Sequence, residues 1–439
     1  MAIVAVVLYL IVLYVRPGEI IPGWEGIPFA AITQGLGLVA VSVSWLMRPR
    51  SFLNQPLDLF VAGYFVAAVL SNPAWGWIGG AQYAFTLLLP AIIAYFLIRG
   101  AVRTPKHLRI LGYALVTLTL FQAINGIIQY RTGVGLGNVE AYEQRVVVTT
   151  DGAEETTAVP RIRGTGIFND PNDLALAFVA AMPFLVGPLL GKRTTFIVRV
   201  TTVLLAVPIL IALYLTNSRG GVLGLAAALL PTIWRSGRWL TRVMVVLGLV
   251  AALGLAAPSR MTQMDSDESS AQGRVQSWSA GLQMLKMRPV LGVGFGRYGE
   301  YNELVAHNSF VHVLGELGMI GGFFFTGMFF WLFRGLASVR PAGSGGLPAE
   351  EERLFNWGDE LFMACTGLAV SMIFLSRQYV AIVFIFLAMG ASYRGLLQDL
   401  GVRVKTANGR EVGTISAFLV GGIVAVYVAV RVLAVWSAK

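Results

Sequence analysis

Long apolar runs dominate this chain, and shorter polar segments separate them. The runs lie at about 2–15, 27–47, 57–71, 81–98, 108–130, 172–190, 196–215, 220–234, 239–257, 309–334, 360–376, 378–397 and 413–436. Each run is a continuous apolar block, whereas a barrel strand alternates apolar and polar residues. Because a helix needs roughly 20 residues to cross the hydrocarbon core, the pattern predicts an all-α polytopic membrane protein with about 12 or 13 transmembrane helices.

The composition agrees with this class of protein. Hydrophobic residues make up 56% of the chain, charged residues make up 13%, and the mean hydropathy is +0.70. A soluble domain has about a quarter charged residues. The net charge of +10 comes from basic residues in short segments between the apolar runs, which is typical of membrane orientation and does not indicate nucleic-acid binding.

The basic segments also predict the orientation. They contain Arg48 and Arg50; Arg99, Arg103, Lys106 and Arg109; Lys192, Arg193 and Arg199; Arg235, Arg238 and Arg242; Arg334, Arg340 and Arg353; and Arg403, Lys405 and Arg410. All of these fall on one side if the spans alternate, and the positive-inside rule makes that side the cytoplasm. The two long loops then face the other side, which is the periplasm in a bacterial inner membrane.

This orientation divides the chain into five segments. They are N-terminal transmembrane helices at 1–130, a first periplasmic loop at 131–171, central transmembrane helices at 172–257, a second periplasmic loop with an interfacial helix at 258–308, and C-terminal transmembrane helices at 309–439.

Arginines at the predicted periplasmic boundary are the first candidates for chemistry. Arg161 and Arg163 precede a Gly/Asn/Pro turn, and Asn172 or Asp173 is expected to cap the helix that follows. Arg219 lies in a tight turn between two apolar runs, against the usual bias of basic residues toward the cytoplasm. Guanidinium groups beside a helix start suit a phosphate. The alternatives are interaction with lipid headgroups and pairing with a carboxylate.

The second loop contains a stretch with helical spacing from about 270 to 286. Trp278, Leu282 and Leu285 are predicted to share a face, Arg274 lies one turn earlier, and we expect this helix to lie along the bilayer surface. Arg288 and the glycines at 292, 294 and 296 follow. No Lys-Ser/Thr pair follows these glycines, so they predict a backbone turn and not a nucleotide-binding loop.

Two of the chain's three histidines lie where the second loop meets the next apolar run. His307 precedes Asn308, a candidate N-cap, and an imidazole there could accept a proton from a hydroxyl group. His312 lies four residues before Glu316 and is expected to pair with it, because a buried carboxylate in a span needs a partner. A purely structural role for either histidine is the alternative. Histidines five residues apart are poor ligands on one helix, so no metal is predicted.

Together these motifs resemble the O-antigen ligase and polymerase superfamily. The resemblance covers roughly residues 160–330 and rests on Arg161 to Asn172, Asn217-Ser218-Arg219-Gly220, Arg274 to Gly294 with Trp278, and His307-Asn308 to Gly321 with Glu316-Leu317-Gly318. It implies a membrane glycosyltransferase fold of the C type. It also implies transfer of a glycan from undecaprenyl pyrophosphate in the periplasm, with no cofactor.

The resemblance also implies residue roles. His307 would be the general base, and Arg161, Arg163, Arg219 and Arg274 would bind the pyrophosphate. Asn308, His312, Glu316 and Arg288 are possible supporting residues. The favoured function is that of an O-antigen ligase, with a lipid-linked glycan donor, a lipid A–core acceptor and membrane lipids as partners. The acceptor oxygen would displace the pyrophosphate with inversion at the anomeric carbon.

Three other functions stay open at this point. An O-antigen polymerase or a protein O-oligosaccharyltransferase would use the same chemistry with another acceptor. A flippase or transporter of lipid-linked sugars belongs to a different class, in which charges inside spans and broken helices are expected.

Overall fold

The computed structural model describes residues 1–49, 54–150, 153–190, 194–235, 264–337, 349–402, 404 and 409–436. The helices are α1 Ala2–Val15, α2 Pro17–Ile20, α3 Phe29–Met47, α4 Pro56–Ser71, α5 Gly79–Ala101, α6 Pro105–Thr132, α7 Pro171–Leu190, α8 Phe196–Leu215, α9 Arg219–Arg235, α10 Met264–Met287, α11 Tyr298–Tyr301, α12 Ser309–Leu336, α13 Ala349–Ser371, α14 Ala381–Asp399 and α15 Arg410–Trp436. The two strands are β1 Tyr142–Thr150 and β2 Ala153–Arg161.

The helices follow the apolar runs closely. Among the described residues, 10 helices are long and apolar enough to cross a membrane, which confirms the all-α polytopic fold class. The predicted span at 239–257 lies outside the described residues, as do several of the basic residues that were used to predict orientation. The apolar run at 360–376 belongs to α13, whose helix begins earlier, at Ala349.

A β-hairpin occupies part of the predicted first periplasmic loop, where no strand was expected. β1 and β2 pair antiparallel, with Tyr142 opposite Arg161 and Thr150 opposite Ala153. The Val- and Thr-rich sequence of this region favours strands. The hairpin places Arg161 at the end of β2, so its backbone position is fixed by a strand partner.

The chain divides into two compact units. The first contains Met1–Arg50, Gly100–Ser266 and Val339–Ser371, and the second contains Ser51–Arg99, Asp267–Ser338 and Met372–Lys439. In the first unit, α7 packs on α8, α9 and α13, and α6 packs on α1, α7 and α8. The hydroxyl of Ser371 donates to the Gly220 carbonyl at 3.1 Å and ties α13 to α9.

In the second unit, α12 packs on α4, α14 and α15 and is broken at Gly318, where φ is 62° and ψ is −157°. The segment from Pro289 to Gly294 fills this break. Four backbone hydrogen bonds join them: Val293 N to Gly315 O at 2.9 Å, Gly294 N to Glu316 O at 2.9 Å, Met319 N to Pro289 O at 2.8 Å and Ile320 N to Val290 O at 3.1 Å. The apolar run at 309–334 did not predict this break.

The glycines at 292, 294 and 296 all have positive φ, as the predicted turn requires. A Cβ on Gly292 would meet the backbone of Glu316, and a Cβ on Gly318 would meet the backbone of Val290. The two chain segments therefore touch through their main chains.

The helix of the second loop is present, but its buried face differs from the prediction. Ser277, Met284 and Leu285 are buried, whereas Trp278 and Leu282 are half-buried. Gly281 lies between Ser277 and Met284, and a Cβ on it would lie 2.6 Å from Val311 Cγ1 and 2.8 Å from the Tyr298 hydroxyl. The small residues allow the close approach, which hydrophobic spacing alone did not reveal. Orientation along the bilayer surface stays a prediction.

Candidate functional site

In the first unit, Arg161 is held from three sides. Its side chain is buried, with 8% exposure. The guanidinium donates from Nε to the Thr216 carbonyl at 2.7 Å, from Nη1 to Gln144 Oε1 at 3.1 Å and from Nη2 to Asn172 Oδ1 at 3.2 Å. These three contacts fix the orientation of the planar guanidinium fork.

Asn172 connects this arginine to the turn that precedes α9. Its Oδ1 also accepts a hydrogen bond from the Ser218 hydroxyl at 2.8 Å, and Ser218 Oγ accepts from the backbone N–H of Gly221 at 3.2 Å. Arg219 is the first residue of α9 and is exposed. Two of the arginine-bearing motifs in the first unit therefore meet at one amide oxygen.

The predicted cap of α7 is wrong. The helix begins at Pro171, and Asp170 Oδ1 accepts from the backbone N–H of Asn172 at 2.7 Å. Proline is favoured at the first helical position because its missing N–H would have no partner there. Asn172 is thereby released from capping and available to Arg161.

Arg163 is half-buried, two residues beyond Arg161. Its Nε donates to the Glu140 carbonyl at 2.8 Å. The guanidinium group of Arg163 is thus bonded to the segment that enters the hairpin.

In the second unit, both neighbours of His307 in the chain make hydrogen bonds. Asn308 Oδ1 accepts from the N–H groups of Phe310 and Val311 at 3.0 and 3.2 Å, which confirms the predicted N-cap. The Trp278 indole donates to the Ala306 carbonyl at 2.9 Å. His307 itself is half-buried and has φ of 47°. This left-handed conformation is uncommon for a residue with a side chain.

His312 is enclosed by hydrogen-bond partners. Its Nε2 lies 3.1 Å from Glu316 Oε1, which confirms the predicted pair, and its Nδ1 lies 3.1 Å from the Ser376 hydroxyl. The residue is 7% exposed. Both ring nitrogens are occupied, so His312 is poorly suited to accept a proton from a substrate.

Glu316 is the centre of this buried cluster. Its side chain is 1% exposed. Oε1 also accepts from the backbone N–H of Tyr298 at 3.0 Å, and Oε2 accepts from the Tyr379 hydroxyl at 2.6 Å. Burial raises the pKa of the Tyr298 phenol, and the negative charge of Glu316 raises it further. The phenol of Tyr298 stays protonated and donates to the Ser277 carbonyl at 2.5 Å.

The other two candidates of the second unit are arginines. Arg274 is half-buried on α10. The Arg288 guanidinium stacks on the Trp75 ring, 3.3 Å from its centroid, and the Trp75 indole donates to the Gly292 carbonyl at 2.8 Å. Arg288 thus packs on the tryptophan that is hydrogen-bonded to the segment filling the break in α12.

The predicted site residues belong to both units. Arg161, Arg163 and Arg219 lie in the first, and Arg274, Arg288, His307, Asn308, His312 and Glu316 lie in the second. The structure links the Arg161 segment to the Arg219 turn, and it links His312 to Glu316. A common clamp that includes Arg274 stays a prediction. In the part of the chain that is described, no group of three or more His, Cys, Asp or Glu side chains could hold a metal ion.

Several residues at these clusters were missed by the sequence analysis. Gln144, Ser218, Ser376 and Tyr379 were not assigned, and Asn172 was given another role. Ser218 lies 46 positions after Asn172, and Tyr379 lies 63 after Glu316. Only the presence of Asn172 and Ser218 inside the quoted motifs could have drawn attention to them.

Comparison with protein families identifies the region that contains most of these residues. Residues 204–326 match the family described as O-antigen ligase. The resemblance to the O-antigen ligase and polymerase superfamily is confirmed. The matched region includes Arg219, Arg274, His307 and Glu316, whereas Arg161 precedes it. No curated protein matches the chain. The family match, with the apolar helices, supports a multi-pass membrane enzyme of the glycosyltransferase type that acts as an O-antigen ligase or polymerase.

Proposed function

We propose that this protein is an O-antigen ligase of lipopolysaccharide assembly. It would move a glycan from undecaprenyl pyrophosphate to a sugar hydroxyl of lipid A–core, on the periplasmic face of the bacterial inner membrane. One observation carries the proposal: Asn172 Oδ1 accepts hydrogen bonds from both Arg161 and Ser218, which joins a buried guanidinium to the turn before Arg219. Guanidinium groups beside a helix start suit a phosphate.

In this proposal, arginines neutralise the leaving group. Arg161, Arg163, Arg219 and Arg274 contact the pyrophosphate, whose negative charge grows as the glycosidic bond breaks. Bidentate guanidinium–phosphate contacts are strongest when that charge is fully developed, so they lower the barrier. The pyrophosphate linkage of the donor supplies the free energy of transfer.

His307 acts as the general base. It takes the proton from the acceptor hydroxyl, the oxygen attacks the anomeric carbon from the face opposite the pyrophosphate, and the configuration inverts. The hydrogen bonds of Ala306 and Asn308 support this role, since a base must be held within hydrogen-bond reach of its proton. His312 is unsuited to it, because Glu316 and Ser376 occupy its ring nitrogens.

A transporter of lipid-linked sugars is the alternative from another class. The broken helix α12 and the buried Glu316 are features that transporters use. Here, however, the segment from Pro289 to Gly294 donates hydrogen bonds to the residues before the break and accepts them from the residues after it. Backbone groups satisfied in this way do not need a transported ion or substrate, which favours the transferase.

A reconstitution with defined substrates tests the proposal. The purified protein in liposomes is given an undecaprenyl-pyrophosphate glycan together with lipid A–core, a second lipid-linked glycan, or a serine-containing peptide. We expect glycan on lipid A–core, with release of undecaprenyl pyrophosphate. Extension of the second glycan would identify a polymerase, and glycosylated peptide a protein O-oligosaccharyltransferase. Movement of the donor across the bilayer without a new glycosidic bond would overturn the transferase.

A further inference from the structure

Helix α6 carries a row of buried polar residues. Thr119, Gln122, Asn125 and Gln129 are at most 1% exposed. Their spacing of three and four residues puts them on one face of the helix. Burying a polar side chain in a membrane helix is costly unless its hydrogen bonds are satisfied. Such a row therefore points to contacts that the protein needs.

Gln129 bonds to the chain on both sides of the hairpin, before β1 and after β2. Its Oε1 accepts from the backbone N–H of Arg163 at 2.9 Å, and its Nε2 donates to the Val139 carbonyl at 2.8 Å. Arg163 Nε donates to the carbonyl of the next residue, Glu140, at 2.8 Å. One amide group thus fixes Arg163 to the same segment that its own side chain contacts.

Gln122 holds the same chain two residues further on. Its Oε1 accepts from the backbone N–H of Thr165 at 3.1 Å, and its Nε2 donates to Thr165 Oγ1 at 2.9 Å and to the Tyr14 carbonyl. Between the two glutamines, a Cβ on Gly126 would lie 2.7 Å from Ile162 Cδ1. Ile162, Arg163 and Thr165 therefore each contact the same face of α6.

We infer that Gln129 is a positioning residue for the phosphate-binding arginines, with Gly126 and Gln122 as its partners. By fixing the backbone of Ile162 to Thr165, α6 sets where the guanidinium groups of Arg161 and Arg163 can reach. A glutamine can both donate and accept here without a charge. A carboxylate in its place would compete with the donor phosphates for the same arginines. This inference rests on the proposed function.

The test is the affinity of the full-length protein for undecaprenyl-pyrophosphate glycan, measured without acceptor so that no turnover occurs. Gln129→Met keeps the size of the side chain and removes the amide. We expect the Kd for the donor to rise about tenfold, which corresponds to the loss of one well-formed hydrogen bond. In turnover assays the KM for the acceptor should change less than about twofold, because the acceptor does not contact the arginines.

Gln55→Met is the matched control for the loss of a buried glutamine. Gln55 donates to Gln398 Oε1 at 2.6 Å and accepts from Arg394 at 2.8 Å. It should lower the melting temperature as Gln129→Met does and leave the donor Kd unchanged. An equal rise of the Kd in both variants would make Gln129 merely structural and overturn the inference.

A milder pair of variants remains informative if Gln129→Met folds poorly. Gly126→Ala should raise the donor Kd because the new methyl group displaces Ile162, and Ile162→Val, which removes Cδ1, should restore it in the double variant. An unchanged Kd in Gly126→Ala would contradict the inference. If Arg161→Lys with Arg163→Lys weakens donor binding while these variants do not, only the positioning role fails. If the arginine variant also binds normally, the proposed function fails.

Discussion

Arg161 of the first unit and Glu316 of the second are both buried ionisable groups, but their hydrogen-bond partners differ. Arg161 is oriented through Thr216, Gln144 and Asn172, which are neutral acceptors. Glu316 instead accepts from His312, Tyr298 and Tyr379 on its two oxygens. The contacts of Arg161 orient a guanidinium fork that we propose to bind an anion, whereas those of Glu316 surround a carboxylate with hydrogen-bond donors. We therefore expect the buried arginine to serve donor binding and the buried glutamate to serve architecture.

The largest expected effect is that of His307→Ala. Turnover should fall at least about 10²-fold, the low end of what general-base catalysis contributes, while donor binding is retained. Single-turnover transfer to lipid A–core, measured beside the donor Kd, checks this. The wild-type rate should also fall on the acid side as an imidazole protonates, and that limb should be lost in the variant. Most of the turnover surviving in His307→Ala would assign proton transfer to another group.

Arg161→Lys should have the next largest effect. Lysine keeps the charge and loses the planar fork, so the donor contact and the bonds to Asn172 and Thr216 cannot form together. We expect kcat/KM for the donor to fall by about 10²-fold, since hydrogen bonds to charged groups contribute about 1.5–3 kcal/mol each. Melting curves provide the control for folding. A nearly normal kcat/KM for the donor in Arg161→Lys would contradict the proposed role of Arg161 in donor binding.

His312→Ala tests whether the His312–Glu316 cluster is structural. It should lower the free energy of unfolding by about 1–3 kcal/mol, because the Glu316 carboxylate and the Ser376 hydroxyl each lose a buried partner. Turnover per folded molecule should change only a few-fold. Denaturant or thermal unfolding in detergent, paired with an activity assay normalised to folded protein, separates the two quantities. A catalytic loss as large as that of His307→Ala, with unchanged stability, would show that this cluster is not architecture.

Ser218→Ala should give the smallest effect. It removes one of the two hydrogen bonds to Asn172 Oδ1 and leaves that of Arg161 in place. We expect a loss of about 0.5–1.5 kcal/mol, seen as a rise of a few-fold in donor KM. Thr366→Ala is a suitable control, because the Thr366 hydroxyl donates within its own helix, to the Phe362 carbonyl at 2.7 Å. Equal behaviour of the two variants would argue against a link between Arg161 and the turn.

The sequence predicts the features of this protein that depend on neighbouring residues. The helices follow from the length of the apolar runs. The Asn308 cap and the His312–Glu316 pair follow from spacings of two to four residues. The break at Gly318 did not follow, because it depends on hydrogen bonds from a segment more than 20 positions away. The partners of Arg161 were hidden for the same reason, with Thr216 lying 55 positions further along the chain.

The break in α12 also changes how much of that helix a bilayer needs to hold. From Met319 to Leu336 the helix has about 18 residues, or about 27 Å at 1.5 Å per residue. That length nearly matches the roughly 30 Å thickness of a hydrocarbon core. The part before Gly318, with His312 and Glu316, can then stay at the depth of the polar headgroups, where a carboxylate is much less costly than in lipid tails. The interruption thus allows a cluster with an ionised carboxylate to lie directly beyond the membrane-spanning part of the same helix.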